Sequence, residues 1–359
     1  MPRVIFINEE WSDLRWFSTG GTRPKKYFLA PNGKYYFFKR SEFKNPIDGK
    51  QGKDYKYEFW NEVIAYEIGQ HLGFNTLKYD VAVDGDVVGC ISESMINSTR
   101  QELIEGIKYL QAYSPLYDPL QKEHKRRYEF SFIIDALEKA RIDVDYVKCM
   151  LEIIVFDALI GNGDRHQENW AIIETRKLQS EVLEEEIAEG KVTLTPNRER
   201  VFDYLKRFLK KIERNAISRG DLSSEYYDIR HTFAPIYDSG SSLGRELLDD
   251  KIEQLITSDT ALLDYIEKGK SEIHWQNQKL SHFDLIRNLL STEHGVTIRD
   301  TLQRVVDKFN PATIWAIIES VDAGVPESLH HYKIPPSRKK LISKILSLRC
   351  EKLKDLLHE

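Results

Sequence analysis

The sequence predicts an α+β protein in which a small β-rich part precedes a larger helical part. Two hairpin signals, 32–33 (Asn-Gly) and 84–85 (Asp-Gly), each separate apolar or aromatic runs within the first 97 residues. Beyond residue 97, apolar residues recur mainly at helical spacing. We therefore expect an amino-terminal lobe at 1–97 and a carboxy-terminal lobe at 98–359.

Composition indicates a soluble globular protein, because 41% of its 359 residues are hydrophobic and 30% are charged. A net charge of −5 argues against a general nucleic-acid-binding surface. Cys90, Cys149 and Cys350 are far apart, which favours reduced cysteines over disulfides or a zinc site. Without a signal peptide or a long apolar span, we expect a cytoplasmic protein that does not bind membranes.

Local patterns assign most elements of both lobes. In the first lobe we expect strands at 27–30, 34–40, 79–83 and 87–92, and one helix at 57–72 that ends near Gly73. In the second lobe, Ser337 is a plausible N-cap for the last helix. The helices expected there span 101–112, 130–140, 144–160, 200–215, 245–256, 259–268, 280–290, 298–309, 312–321 and 337–357.

The most informative segment lies at 156–170, where Asp164 is followed five positions later by Asn169. An Asp can accept the proton of an attacking hydroxyl, and an Asn at this spacing can hold magnesium in a phosphoryl-transfer site. The spacing alone is weak evidence, since it arises often by chance. An apolar helical run before it, the turn residues 161–163 and an apolar strand after it are the context that a catalytic loop needs.

A second segment presents Asp238 at the end of a short apolar run and before glycine-rich turn residues. Such a residue can be an ordinary Asx turn or a magnesium-binding carboxylate. Because Asp238 lies downstream of the first motif, we favour the metal ligand.

Together the two segments, 161–170 and 234–240, resemble the HipA-like serine/threonine kinases. The resemblance implies a two-lobed protein-kinase-like fold, ATP and Mg²⁺ as cofactors, and a protein substrate with a serine or threonine acceptor. Asp164 would be catalytic, and Asn169 and Asp238 would bind metal. It also implies a possible toxin-like role in translation and a separately encoded antitoxin or helix-turn-helix partner.

The amino-terminal lobe fits the same family. Residues 17–26 are similar to its phosphate-covering loop, with Ser18, Thr19, Gly20, Gly21 and Lys25 beside the nucleotide. Glycines let backbone N–H groups approach phosphates, and basic residues there supply positive charge.

Further nucleotide contacts are implied at the strand lysine, the first helix and the hinge. Lys39 closes the second strand and would contact the α- and β-phosphates. Glu58 and Glu62 lie one helical turn apart, so either could reach Lys39; the family alignment favours Glu62. Residues 91–95 would meet adenine. The implied cofactor contacts also include Glu93, Met95 and His166.

The chain departs from the family in two places. It begins almost at the phosphate loop, so we expect a compact form without the additional amino-terminal subdomain of longer members. An insertion at about 175–230 holds an acidic run, 181–186, and a basic amphipathic helix around 202–212. Two solvated faces packing on each other are favoured there over a partner-docking site.

Three alternatives remain open. A phosphoinositide kinase shares the catalytic loop, but it should present basic residues after Asp238, where only Arg245 stands among Glu246, Asp249 and Asp250. A non-catalytic nucleotide-binding scaffold should lack a catalytic carboxylate, and none is missing. A DNA-binding repressor subunit needs a basic recognition helix, and none stands out.

Autophosphorylation at Ser18 is a testable consequence of the resemblance, with Thr19 and Thr22 as adjacent alternatives. A phosphate adds about −1.5 to −2 charges beside a pocket for a triphosphate, so ATP binding should weaken. Mass spectrometry after incubation with ATP, compared with Asp164→Asn, checks this. Absence of phosphate between residues 18 and 22 in the active protein would end the idea.

Overall fold

A computed structural model describes residues 2–14, 25–41, 43–44, 53–97, 99–191, 196–219 and 227–359. The predicted phosphate-loop residues Ser18, Thr19, Gly20 and Gly21 lie outside the described residues.

Most amino-terminal strands form one six-stranded sheet. Its strands follow the order β1-β7-β8-β4-β3-β2, in which β1 pairs parallel with β7 and the other neighbours are antiparallel. Strands β5 and β6 pair separately. The bounds are β1 Val4–Ile7, β2 Ser12–Asp13, β3 Lys25–Leu29, β4 Tyr35–Lys39, β5 Phe43–Lys44, β6 Lys53–Asp54, β7 Asp80–Asp84 and β8 Val87–Glu93.

Helix α1 (Glu58–Leu72) lies between this sheet and the helical part of the chain. It contacts β8 on one side and later helices on the other, which explains why apolar residues such as Trp60 and Ile64 are buried all around it. The helix ends at Gly73, whose φ of 81° is a left-handed conformation that suits glycine. The Trp60 indole also donates to the Tyr332 carbonyl at 2.7 Å.

A three-stranded antiparallel sheet belongs to the carboxy-terminal part. It consists of β9 (Gln101–Glu105), β10 (Ala171–Leu178) and β11 (Tyr227–Phe233), in the order β11-β10-β9. The prediction of a helix at 101–112 was therefore wrong in its first half: helix α2 spans only Gly106–Tyr113. Residues 101–105 pair with β10 instead, and this tertiary pairing overrides their local helical spacing.

Helix α5 is the centre of the carboxy-terminal core, with contacts to α4, α10, α11 and α13. Its second half is buried on every side, which is why its sequence is almost continuously apolar. The bounds are α3 Lys122–Lys125, α4 Phe130–Lys139, α5 Tyr146–Ile160, α6 Gln179–Ala188, α7 Pro196–Ser218, α8 Asp249–Thr257, α9 Asp259–Glu267, α10 His282–Leu290, α11 Gly295–Lys308, α12 Pro311–Ser320 and α13 Pro336–Asp355, with a short 3₁₀ helix at Glu327–Tyr332.

Helix α13 begins one residue earlier than expected. Pro335 is its N-cap residue and Pro336 opens the first turn, so the prediction of Ser337 as N-cap was wrong. Proline is suited to that position because its missing N–H would have no partner within the helix.

The insertion pairs its acidic and basic stretches. Glu184 on α6 accepts from Lys206 at 2.7 Å and from Lys210 at 2.8 Å on α7. This is the packing of two solvated faces that the sequence favoured. Among the described residues, no helix is both long and apolar enough to cross a membrane.

Candidate active site

Lys39 joins the two parts of the molecule through its ammonium group. It lies at the end of β4, 2.9 Å from Glu62 Oε1 on α1 and 2.8 Å from Asp238 Oδ1 on the segment after β11. Its side chain is 12% exposed and that of Glu62 only 2%, so water screens the contact poorly. One lysine therefore fixes a helix and a distant loop in the same small volume.

The charges of this cluster explain their pKa shifts. Burial opposes the charge on Lys39, but Glu62, Tyr79 and Asp238 together hold its pKa well above the usual value. Burial and the neighbouring Asp238 raise the pKa of Glu62, against the attraction of Lys39. Two carboxylates thus share one ammonium where the three side chains meet.

Of the two glutamates one turn apart, the structure places Glu62 at Lys39. Glu58 instead accepts from Arg245 at 2.5 Å. Glu62 also accepts from the Ser239 backbone N–H at 2.8 Å, which ties α1 to the residue after Asp238. Gly240 lies against both glutamates, and a Cβ there would approach Glu62 Oε1 to 3.2 Å. The glycine permits this close approach.

Arg165 holds the second part of the site together. Its Nε and Nη2 donate to the two carboxylate oxygens of Asp157 on α5, each at 2.9 Å. Its Nη1 donates to the carbonyl oxygens of Asn169 at 2.7 Å and Tyr237 at 2.5 Å. The guanidinium is 1% exposed and its pKa is raised by Asp157 despite burial. The loop at 164–169 and the segment before Asp238 are therefore bound to one side chain.

Asp164 and Asn169 are held against each other within the loop. The Asn169 side-chain amide donates to the Asp164 carbonyl at 2.7 Å, and the Ser241 hydroxyl donates to Asp164 Oδ2 at 3.0 Å. The Asp164 N–H donates to Asn162 Oδ1 at 3.2 Å. These bonds set the direction of the Asp164 carboxylate, which is part-buried.

The residues expected to bind magnesium fit a hard dication. Asp238 offers carboxylate oxygen, and Asn169, whose NH₂ is used on Asp164, offers its amide oxygen. Two carboxylates, those of Glu62 and Asp238, meet at this point and favour a cation nearby. No group of three or more His, Cys, Asp or Glu side chains suited to a metal occurs in the described ranges, so phosphate oxygens and water would complete the coordination.

The remaining predicted cofactor residues are less closely gathered. Met95 packs on a small apolar cluster of Ala171, Ile173 and Ala234, which Tyr237 also contacts. Such a cluster next to Asp238 is a suitable floor for a planar base. Glu93 forms an exposed ion pair with Lys34 at 2.7 Å. His166 Nδ1 accepts from the Glu168 backbone N–H at 3.3 Å. Lys25 lies on β3, opposite Lys39 in the neighbouring strand.

Sequence reasoning missed the functions of Asp157 and Arg165. The available signal was a charged residue in the otherwise apolar second half of α5, since a buried carboxylate needs a partner. Eight residues downstream, Arg165 lies beyond the end of that helix, where a charged residue gives no sign of burial. Ser241 carried no signal, because serine is an ordinary turn residue in that context.

Comparison with solved structures identifies the architecture. The chain superposes on the proinflammatory kinase CtkA of Helicobacter pylori with a TM-score of 0.68 and 17% identity, over 99% of this chain and 97% of that one. The chain has a kinase fold. This confirms the α+β, two-lobed architecture expected from the sequence.

A weaker likeness concerns HipA in a Shewanella oneidensis MR-1 complex of the toxin–antitoxin system HipA, HipB and its operator DNA. The TM-score is 0.41 at 12% identity, over 98% of this chain and 67% of that one, and this is too low to carry an argument. No protein-family model matches the sequence, and no curated protein matches it.

The Asp157–Arg165 pair predicts a large stability effect. Asp157→Asn leaves a buried guanidinium without its counter-charge, which should cost about 3–5 kcal/mol of unfolding free energy. Urea denaturation measures the loss. The control is Glu185→Gln, which breaks the exposed ion pair with Lys177 and should cost about 0–1 kcal/mol. Equal losses in the two variants would contradict the structural importance of the buried pair.

Proposed function

We propose that this protein is an ATP- and magnesium-dependent serine/threonine protein kinase of HipA-like type. The observation that carries the proposal is the Lys39 ammonium between Glu62 and Asp238. Arg165 binds the loop at 164–169, which carries Asp164 and Asn169, to the segment before Asp238. A lysine–glutamate pair, a metal-binding Asp and a loop Asp followed by Asn are the parts that kinases use for phosphoryl transfer.

Each side chain then has a distinct role. Lys39, kept protonated by its two carboxylate neighbours, would contact the phosphates of ATP, while Glu62 fixes its direction. Asn169 and Asp238 would hold magnesium, which neutralises charge on the transferring phosphates. Met95 and its apolar neighbours would support the adenine. Such a site works by positioning and by charge stabilisation.

Asp164 would act on the acceptor. Its carboxylate, oriented by the Ser241 hydroxyl, would take the proton of a serine or threonine hydroxyl as that oxygen bonds to the γ-phosphorus. The bond from the γ-phosphorus to the bridging oxygen breaks, and ADP leaves with the electron pair. The products are ADP, the phosphorylated residue and one proton.

A toxin-like role in translation, an antitoxin partner and a cytoplasmic location remain predictions from the sequence. A gene for a small helix-turn-helix protein beside this one would support the partner. Incubation with labelled ATP and candidate translation factors, including tRNA synthetases, tests the proposed kinase activity and its substrates together.

Asp164→Asn should abolish phosphoryl transfer and leave nucleotide affinity nearly unchanged, because the carboxylate acts on the acceptor and not on ATP. Transfer of labelled phosphate and calorimetric ATP binding measure the two effects. Asp135→Asn is a matched control on the exposed face of α4 and should change neither. Wild-type turnover in the Asp164 variant would remove this residue from the mechanism.

Lys39→Ala should lower the rate by roughly two to three orders of magnitude, the usual scale for losing one preorganised charge-stabilising donor. Lys26→Ala is the matched control, since Lys26 lies on the neighbouring strand in an exposed ion pair with Asp84. If the Lys26 variant loses activity and the Lys39 variant keeps it, the phosphate lysine has been misassigned.

A further inference from the structure

A cavity of 510 Å³ opens beside Asp164 and is rich in cationic side chains. None of its lining residues belongs to the Lys39–Glu62–Asp238 cluster. It therefore adjoins the expected acceptor residue and not the expected phosphate lysine. Its charged and polar lining includes Asp164, Arg245, Lys268, Lys270, His282 and Arg349.

Two buried side chains in this lining have polar atoms without a partner. His282 is 2% exposed and Arg349 is 3% exposed, yet neither His282 Nε2 nor Arg349 Nε has a hydrogen-bond partner among the residues that the structure describes. Buried polar groups in folded proteins are nearly always bonded, so each of these atoms calls for a ligand or water. Both belong to residues that face the same cavity.

The position of Arg349 is built into the surrounding backbone. Its Nη1 donates to the Ala158 carbonyl at 2.6 Å, at the end of α5, which leaves Nε for another partner. Two glycines make room for the guanidinium: a Cβ at Gly161 would lie 3.0 Å from Arg349 Cζ, and one at Gly269 would lie 2.7 Å from Nη2. Gly161 also begins the loop that carries Asp164.

The charge balance of the cavity is positive. Arg349 makes no ion pair within the described part of the chain, and burial lowers its pKa to about 10. The exposed Lys268 and Lys270 likewise have no ion-pair partner among the residues that the structure describes. Arg245 is already bound to Glu58, and the carboxylates in the lining are those of Asp164 and Glu246. The cationic side chains in the lining therefore outnumber the carboxylates that would compete with an incoming anion for them.

We propose that this cavity binds an acidic side chain of the acceptor protein and so selects serine or threonine residues that have glutamate or aspartate nearby in sequence. The inference rests on the proposed kinase function and names its substrate class. The carboxylate would lie against Arg349 and His282 at the base of the cavity, with Lys268 and Lys270 at its mouth. The acceptor hydroxyl would then lie beside Asp164.

A peptide fits these walls better than a phosphorylated lipid headgroup does. The lining has no aliphatic side chain that could follow an acyl chain. Asp164 and Glu246 also stand in the lining, where a headgroup with several phosphates would have to approach them. Glu246 is moreover held at the wall by the Tyr265 hydroxyl at 2.7 Å.

Two fluorescent peptides test the assignment on the full chain: one with a serine flanked by glutamates, and one with those glutamates replaced by glutamine. Anisotropy should show about tenfold tighter binding of the acidic peptide, the order expected for one charge-assisted contact. The Lys268→Glu, Lys270→Glu double variant should lose this preference. Both lysines are exposed, and a thermal melt checks that the variant folds.

Lys139→Glu is the control, because Lys139 is an exposed lysine that lines a different cavity, on α4, and should keep the preference. Equal affinity for the two peptides, or a preference that survives in the double variant, would overturn the assignment. So would binding to phosphatidylcholine vesicles that contain a phosphoinositide without binding to the acidic peptide, which would favour a headgroup.

Phosphate transfer to the same two peptides separates this inference from the proposed function. Charge-dependent binding without transfer of label from ATP would contradict the kinase and leave a cavity that binds acidic peptides. Transfer to both peptides with the same kcat/KM would support the kinase and overturn the acidic selection. The expected result is transfer with a higher kcat/KM for the acidic peptide, lost in the double variant.

Discussion

The buried ion pair of Asp157 and Arg165 is the interaction on which the candidate site depends. A guanidinium removed from water is costly unless its N–H groups are all bonded, and here every nitrogen of Arg165 donates. Its acceptors lie on helix α5, on the loop at Asn169 and on the segment at Tyr237. The energetic need to satisfy one arginine thus forces three distant parts of the chain into contact.

The cluster at Lys39 extends this constraint to the amino-terminal sheet. Asp238 follows directly after Tyr237, so the segment that Arg165 holds is also the one that Lys39 contacts. Helix α1 adds Glu62, and its neighbour Asn61 donates to the carbonyl oxygens of Gly240 at 3.3 Å and Ser242 at 2.7 Å. The sheet, α1 and the carboxy-terminal core therefore meet at a single charged cluster, and a change in one should be felt in the others.

Patterns of short range were sufficient to predict much of the fold. The hairpins around Asn32-Gly33 and Asp84-Gly85, helix α1 and helix α5 follow from turn chemistry and apolar spacing. Strand β9 did not, because residues 101–105 take their conformation from pairing with β10. Strand β11 was missed because its exposed polar residues hide the alternation of apolar and polar positions that identifies a strand. Sequence cannot reveal which strand will be a neighbour.

In the candidate site, too, some residues could be predicted from local sequence and others could not. The spacing of Asp164, Asn169 and Asp238 within their motifs was enough to predict them as site residues. Lys39 ends a strand that the sequence predicts. Choosing Glu62 over Glu58 required the family resemblance, because one helical face presents both. The cavity beside Asp164 could not be predicted, since Lys270, His282 and Arg349 come from separate elements. Only their packing around Gly161 and Gly269 brings them together.

The central claim is that the two loops joined by Arg165 form one magnesium–ATP site. Calorimetric titration of ATP, with and without Mg²⁺, tests it most directly on the wild-type protein and on Asp238→Ala. Binding to the wild type should depend on Mg²⁺, and the variant should lose it, because the neutral Asn169 alone is a weak ligand for a hard dication. Equal Mg–ATP affinity in the two proteins would contradict the account and return Asp238 to an ordinary turn.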